Sequence, residues 1–163
     1  MKEELMTITE NPTGKKFWFD SFLMEVLVSA ADTDGSLSVC KQTHRAGYGT
    51  PVHVHEREDQ TLFVLEGTIT AWLDPMGDRV EKVVDAGEGV FLPRGVPHAF
   101  RVEADSKLLE INTPGGFEGF HIAAGEPALH DGLPEPSAPD IEKLMRHGAD
   151  YACQVQGPPV GAN

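Results

Sequence analysis

The chain has 163 residues and a formal net charge of −13, a balance that argues against nucleic-acid backbones and anionic membrane surfaces as partners. Its length is most economical as one domain with room for a sizeable core. The two cysteines, Cys40 and Cys153, lie far apart, so no disulfide framework is expected and a reducing cytoplasm suits the chain.

Residues 1–15 contain Pro12 and Gly14 and read as an arm or loop. The opening MKEELMTITE is acidic and lacks an apolar run, so no secretory signal is expected there. Lys16–Ser29 is rich in aromatic and β-branched residues and predicts one or two strands. Its apolar part, near Phe22–Ala31, is broken by Glu25 and is too short to span a bilayer. Asp32–Gly35 is a turn cluster. Ser36–Arg45 alternates, with Leu37 and Val39 on one face and Ser38, Cys40, Gln42 and His44 on the other.

Gly47–Gly67 then reads GYGTPVHVHEREDQTLFVLEG. In an extended strand, residues i and i+2 share a face, so His53 and His55 can reach one point in space. The run predicts strand, short loop, strand, then a turn at Glu66-Gly67. Glu56–Asp59 reads as a solvated charged loop. Thr68–Leu73 predicts a strand, Asp74–Asp78 a hairpin turn, and Arg79–Val84 the returning strand. Gly89–Leu92 leads to a tight turn at Pro93-Arg94-Gly95, and His98 opens a new strand. Pro97–Val102 and Leu108–Asn112 are predicted as two strands. Many short strands separated by Gly/Pro turns argue an all-β sandwich or barrel. Phe117–Ala124 is a strand or a short helix. Glu126–Pro139 is irregular, Asp140–His147 is a helix with Pro139 at its start, and Gly157–Asn163 reads as loose.

Two histidines from one strand and a third from another, with an amide at Gln60 nearby, make a plausible metal shell, since imidazole suits first-row metals. The spacing of these residues resembles the two motifs of the cupin superfamily. Gly47, His53, His55, Gln60 and Gly67 fall on the anchors of the first motif, and Gly87, Pro93, Gly95 and His98 on those of the second. Two anchors depart from the pattern: Gln60 stands where the family has Glu, and Val102 where it has Asn. The order of segments is most similar to single-domain bacterial cupins of the quercetin 2,3-dioxygenase-like group.

That resemblance implies a cupin double-stranded β-helix, a jelly-roll barrel, with an N-terminal strand arm and a short C-terminal helix. It divides a single domain, 1–163, into arm and strands (1–35), barrel core with both motifs (36–113) and tail with a short helix (114–163). It implies one divalent metal ion (Fe, Mn, Ni, Co, Cu or Zn) held by His53, His55 and His98, with Gln60 in the fourth position. It further implies a dioxygenase acting on a small enolisable or phenolic, flavonol-like substrate chelated to that metal, in a homodimer. A non-catalytic small-molecule or metal-binding cupin, or a metal-dependent isomerase or cyclase, is the alternative. Gln60 cannot take a proton, so base catalysis at that position is lost.

Strand parity supplies the pocket. If Gln60 and His98 point inward, so do Leu62, Val64 and Phe100, with His44 joining them if its face turns in. Phe63 and Leu65 then face away. His121, His130 and His147 carry no ligand spacing and are expected in ordinary surface or core hydrogen bonds.

Overall fold

A computed structural model describes residues 15–161; the expected arm over 1–15 falls almost entirely outside them. Every strand pairing is antiparallel. The strands are β1 (Lys15–Phe19), β2 (Phe22–Val28), β3 (Ser38–His44), β4 (Pro51–His55), β5 (Asp59–Leu73), β6 (Val80–Asp85), β7 (Gly89–Leu92), β8 (His98–Thr113), β9 (Glu126–Pro127) and β10 (Cys153–Pro159). Two helices, α1 (Glu118–Ala124) and α2 (Ile141–Gly148), join the tail to the barrel.

Two long strands make the barrel. The first part of β5 pairs with β7 and with the end of β8, while its last part pairs with β6 and the start of β8. Through β8 one layer runs β9-β1-β2-β3-β8, and the other runs β8-β4-β10. Each long strand therefore serves both layers, as a jelly roll requires to close its core without two independent sheets.

The crossing point corrects the sequence reading of this region. Glu66-Gly67 does not end a strand: β5 continues through it with register shifts. Gly67 has φ 84°, and a Cβ there would lie 2.2 Å from Ser106 Oγ and 2.3 Å from the Asp105 carbonyl oxygen. Glycine is needed both for the dihedral and for the close approach of β8. Likewise the two predicted strands at Pro97–Val102 and Leu108–Asn112 are one strand, because both halves find partners on β5. A bulge and a turn carry the same Gly/polar signal in sequence, and only the partner strand distinguishes them.

Alternation sets the inside and outside. On β5, Gln60, Leu62 and Val64 are buried, while Leu65 is 40% exposed. On β3 the buried face is the polar one: Ser38, Cys40, Gln42 and His44. The tail also differs from expectation. Cys153–Pro159 pairs with β4, so Gly157–Pro159, expected to be loose, belong to a strand. Burying an edge strand satisfies its free N–H and C=O groups. Helix α2 starts one residue later than expected, because the Asp140 side chain accepts from the Lys143 N–H at 3.0 Å and so caps it. Phe117, Phe120 and Leu144 from the helical tail join the main core.

Candidate metal centre and its cavity

His53 sits on β4 directly opposite His98 on β8, and His55 follows two residues along β4. The ring centroids of His53 and His98 are 4.5 Å apart, and those of His55 and His98 are 5.2 Å apart. One ring nitrogen from each of the three lies within 4.8 Å of the others.

The environment of each ring decides which nitrogen is offered. His53 Nδ1 lies 2.7 Å from the Pro51 carbonyl oxygen and His98 Nδ1 lies 3.2 Å from that of Val96. A carbonyl only accepts, so each Nδ1 carries the hydrogen and each Nε2 keeps a lone pair. His55 Nε2 and His98 Nε2 are buried with no hydrogen-bond partner among the described residues. Burial holds His53, His55 and His98 below the ordinary imidazole range, His98 at about 3. Three neutral imidazoles, His53 and His98 oriented by backbone carbonyls and His55 and His98 with orphaned Nε2 lone pairs, fit a divalent transition-metal ion.

Glu58 was expected in a solvated loop, but its side chain is fully buried. Its Oε2 lies 4.0 Å from His55 Nδ1 and its Oε1 accepts from Arg57 Nε at 2.8 Å. The 4.0 Å separation is too long for a hydrogen bond, yet it places a carboxylate behind the third imidazole, where a partner orients a ligand. Burial pushes the Glu58 carboxyl up, and Arg57 opposes that shift. Glu56 and Arg57 remain exposed, as expected.

Gln60 is 4% exposed. Its Nε2 donates to Asn112 Oδ1 at 3.1 Å, which leaves Oε1 as the atom it offers to the cavity. That cavity has a volume of about 60 Å³, and its lining includes His53, Gln60, Phe100, Glu110, Phe117 and His121. Phe100 stands among the lining residues. Leu62, Val64 and His44 are equally buried but belong to the packing around the cavity rather than to its lining. An outer groove of about 460 Å³ lies on the other side of Tyr48, which lines both spaces.

Two further residues line the cavity: Glu110, which the sequence does not single out, and His121, expected only in an ordinary hydrogen bond. Glu110 is 3% and His121 5% exposed, and His121 Nε2 lies 3.3 Å from Glu110 Oε1. The available signal was Glu110 standing on the inward parity of β8 between Leu108 and Asn112. His121 gave none, since it arrives on α1 from beyond the barrel.

His44 is instead a structural residue. Its Nε2 meets Gln42 Oε1 at 2.8 Å, and its ring packs against Phe22 and Tyr48. Burial lowers it from 6.5 to about 3. Between those values the unfolded chain binds a proton that the folded chain refuses. The stabilisation is full above the unfolded value and is lost as pH falls, at about 1.4 kcal/mol per pH unit from this residue. Urea unfolding of the wild type between about pH 6 and about pH 4 is expected to show a slope steeper by that amount than that of His44→Gln. Equal slopes would contradict a neutral, buried His44.

The family model described as a cupin domain matches residues 42–114, and the fold of that segment is a cupin barrel of antiparallel strands. The chain is similar to quercetin 2,3-dioxygenase of Bacillus subtilis (strain 168), 25% identical over 142 residues, covering 86% of this chain. The chain spans 41% of that relative's length. Among solved structures it is similar to KdgF from Halomonas sp., with 18% identity and a TM-score of 0.52 over 61% of this chain and 84% of that one. It is also similar to a variant of oxalate decarboxylase from Bacillus subtilis, with 16% identity and a TM-score of 0.58 over 66% of this chain and 29% of that one. These two structural likenesses bear on the fold. No helix among the described residues is long and apolar enough to cross a membrane.

Proposed function

We propose that this protein is a metal-dependent enzyme, of oxygenase type, acting on a small enolisable or phenolic molecule. The observation that carries the reading is the set of orphaned imidazole lone pairs of His55 and His98 beside His53 at the cavity wall. Packing alone gives no reason for one nitrogen from each of three rings to lie within 4.8 Å of the others.

In this reading His53, His55 and His98 hold one divalent ion, and Gln60 Oε1 is the fourth donor. The ion supplies Lewis-acid polarisation of an enol oxygen and, where it is redox-active, electron exchange with dioxygen. The chain supplies the rest. Phe100, Phe117 and Phe120 form an apolar wall that excludes water and packs against a flat ring. His53 and Gln60 orient the polar edge of the ligand toward the cluster. Similarity to a quercetin 2,3-dioxygenase supports oxygen chemistry. The cavity volume favours a single-ring or acyclic substrate over a three-ring flavonol, because about 60 Å³ is far below the roughly 300 Å³ of clefts that take drug-sized ligands.

Protein loaded with iron, manganese, nickel, cobalt or copper is expected to consume oxygen with pentane-2,4-dione or a hydroxypyranone, and to do so less with quercetin. Phe100→Ala, which enlarges the cavity, is expected to narrow that difference while metal content stays the same. Stoichiometric zinc as the native ion, with no oxygen uptake under any loading, would overturn the oxygenase reading in favour of an isomerase or a binding protein.

The reading includes a homodimer, supported by Leu65, Val80, Val83 and Phe91 standing 40–57% exposed on β5, β6 and β7. A reducing compartment is consistent with two free, buried cysteines.

A further inference from the structure

The cavity's titratable groups are Asp20, Tyr48, His53, Glu110, His121 and Cys153. Most are committed elsewhere. His53 belongs to the cluster. Tyr48 and Cys153 are held protonated by burial, the thiol pushed up to about 12. Asp20 accepts from the Tyr48 hydroxyl at 3.3 Å. Gln60 is an amide and takes no proton.

Glu110 and His121 remain, and the hydrogen bonds around them form a self-consistent network. Asn112 Nδ2 donates to Glu110 Oε1 at 2.8 Å, and Gln42 Nε2 donates to Glu110 Oε2. Gln42 is fixed in that orientation because its Oε1 faces His44 Nε2. Burial pushes the Glu110 carboxyl up, while the amide N–H groups of Asn112 and Gln42 aimed at its two oxygens favour the carboxylate form. A carboxylate only accepts, so His121 Nε2 carries a hydrogen toward it. In the neutral ring the lone pair then sits on Nδ1, which is buried and has no partner among the described residues. A histidine oriented by a carboxylate, with its other nitrogen open, is a proton acceptor by construction. The charged or titratable groups around the pair are Asp20, Cys40, His44, Tyr48, His53, His55 and Cys153, none of which donates to that nitrogen.

We propose that the Glu110–His121 pair is the cavity's proton acceptor, taking the hydroxyl proton of a small single-ring enol as it docks against the histidine cluster. The enol O–H bond breaks and its electron pair stays on the ligand oxygen. The proton goes to His121 Nδ1, and Glu110 balances the imidazolium so formed. The proposal rests on the metal-centre reading, because the enolate needs the ion's charge opposite it. It restores at β8 and α1 the proton-accepting function that an amide at position 60 cannot perform.

The test uses metal-loaded protein and maltol, a single-ring enolic pyranone protonated at neutral pH, titrated calorimetrically in two buffers of different ionisation heat. Wild type is expected to release close to no protons, because the enol proton stays on the protein. His121→Gln and Glu110→Gln are expected to keep the metal, to release about one proton per maltol and to bind it about 10- to 100-fold more weakly. Wild type that itself releases one proton per maltol overturns the proposal whether or not the variants fold. Metal-loaded protein that binds no maltol also overturns it and leaves the metal centre standing. Failure to take up metal at all removes the metal-centre reading and this inference with it.

Discussion

The double variant His53→Ala/His98→Ala is expected to bind no divalent metal at a stoichiometry above background, whereas wild type purified alongside it carries close to one ion per chain. The two residues face each other across the β4–β8 pairing, and each offers a nitrogen within 4.8 Å of the others. Removing both leaves His55 with Gln60, one imidazole and one weak oxygen donor. Loss of a mere supporting partner already costs about 10–100-fold in metal affinity, so loss of two direct ligands exceeds that. Elemental analysis decides it. The variant is expected to fold, because the pairings of β4 and β8 on either side of these residues are made by the backbone and remain. Equal metal in both proteins would place the ion elsewhere.

Leu62→Ala is expected to lose about 2–5 kcal/mol of stability, and Leu65→Ala less than about 0.5 kcal/mol. The residues lie three apart on β5, but Leu62 is fully buried and Leu65 is 40% exposed. Leu62 packs in the main core and does not line the cavity, so deleting its side chain opens a void that neighbours fill only in part. Urea unfolding at fixed pH measures both, and metal content should be unchanged in each. Similar losses at the two positions would mean that the inward and outward faces of β5 are wrongly placed, and with them Gln60.

Much of this protein was legible from its sequence because the information is local. The two-residue step from His53 to His55 places both rings on one side of any strand, and Gly/Pro punctuation marks an all-β chain. Parity along β5 placed Gln60, Leu62 and Val64 inside and Leu65 outside. The tertiary structure decided what depends on partners. It made Gly67 a crossing between layers and not a turn, because β8 runs against it. It drew Cys153–Pro159 into pairing with β4. It buried Glu58 behind His55, and it turned the polar face of β3 inward, where Gln42 steers Glu110. The meeting of Glu110 with His121 is the clearest case: one residue sits on a barrel strand and the other on a helix beyond it. No periodicity links them, since the contact exists only once the tail folds back over the barrel mouth and excludes water from both.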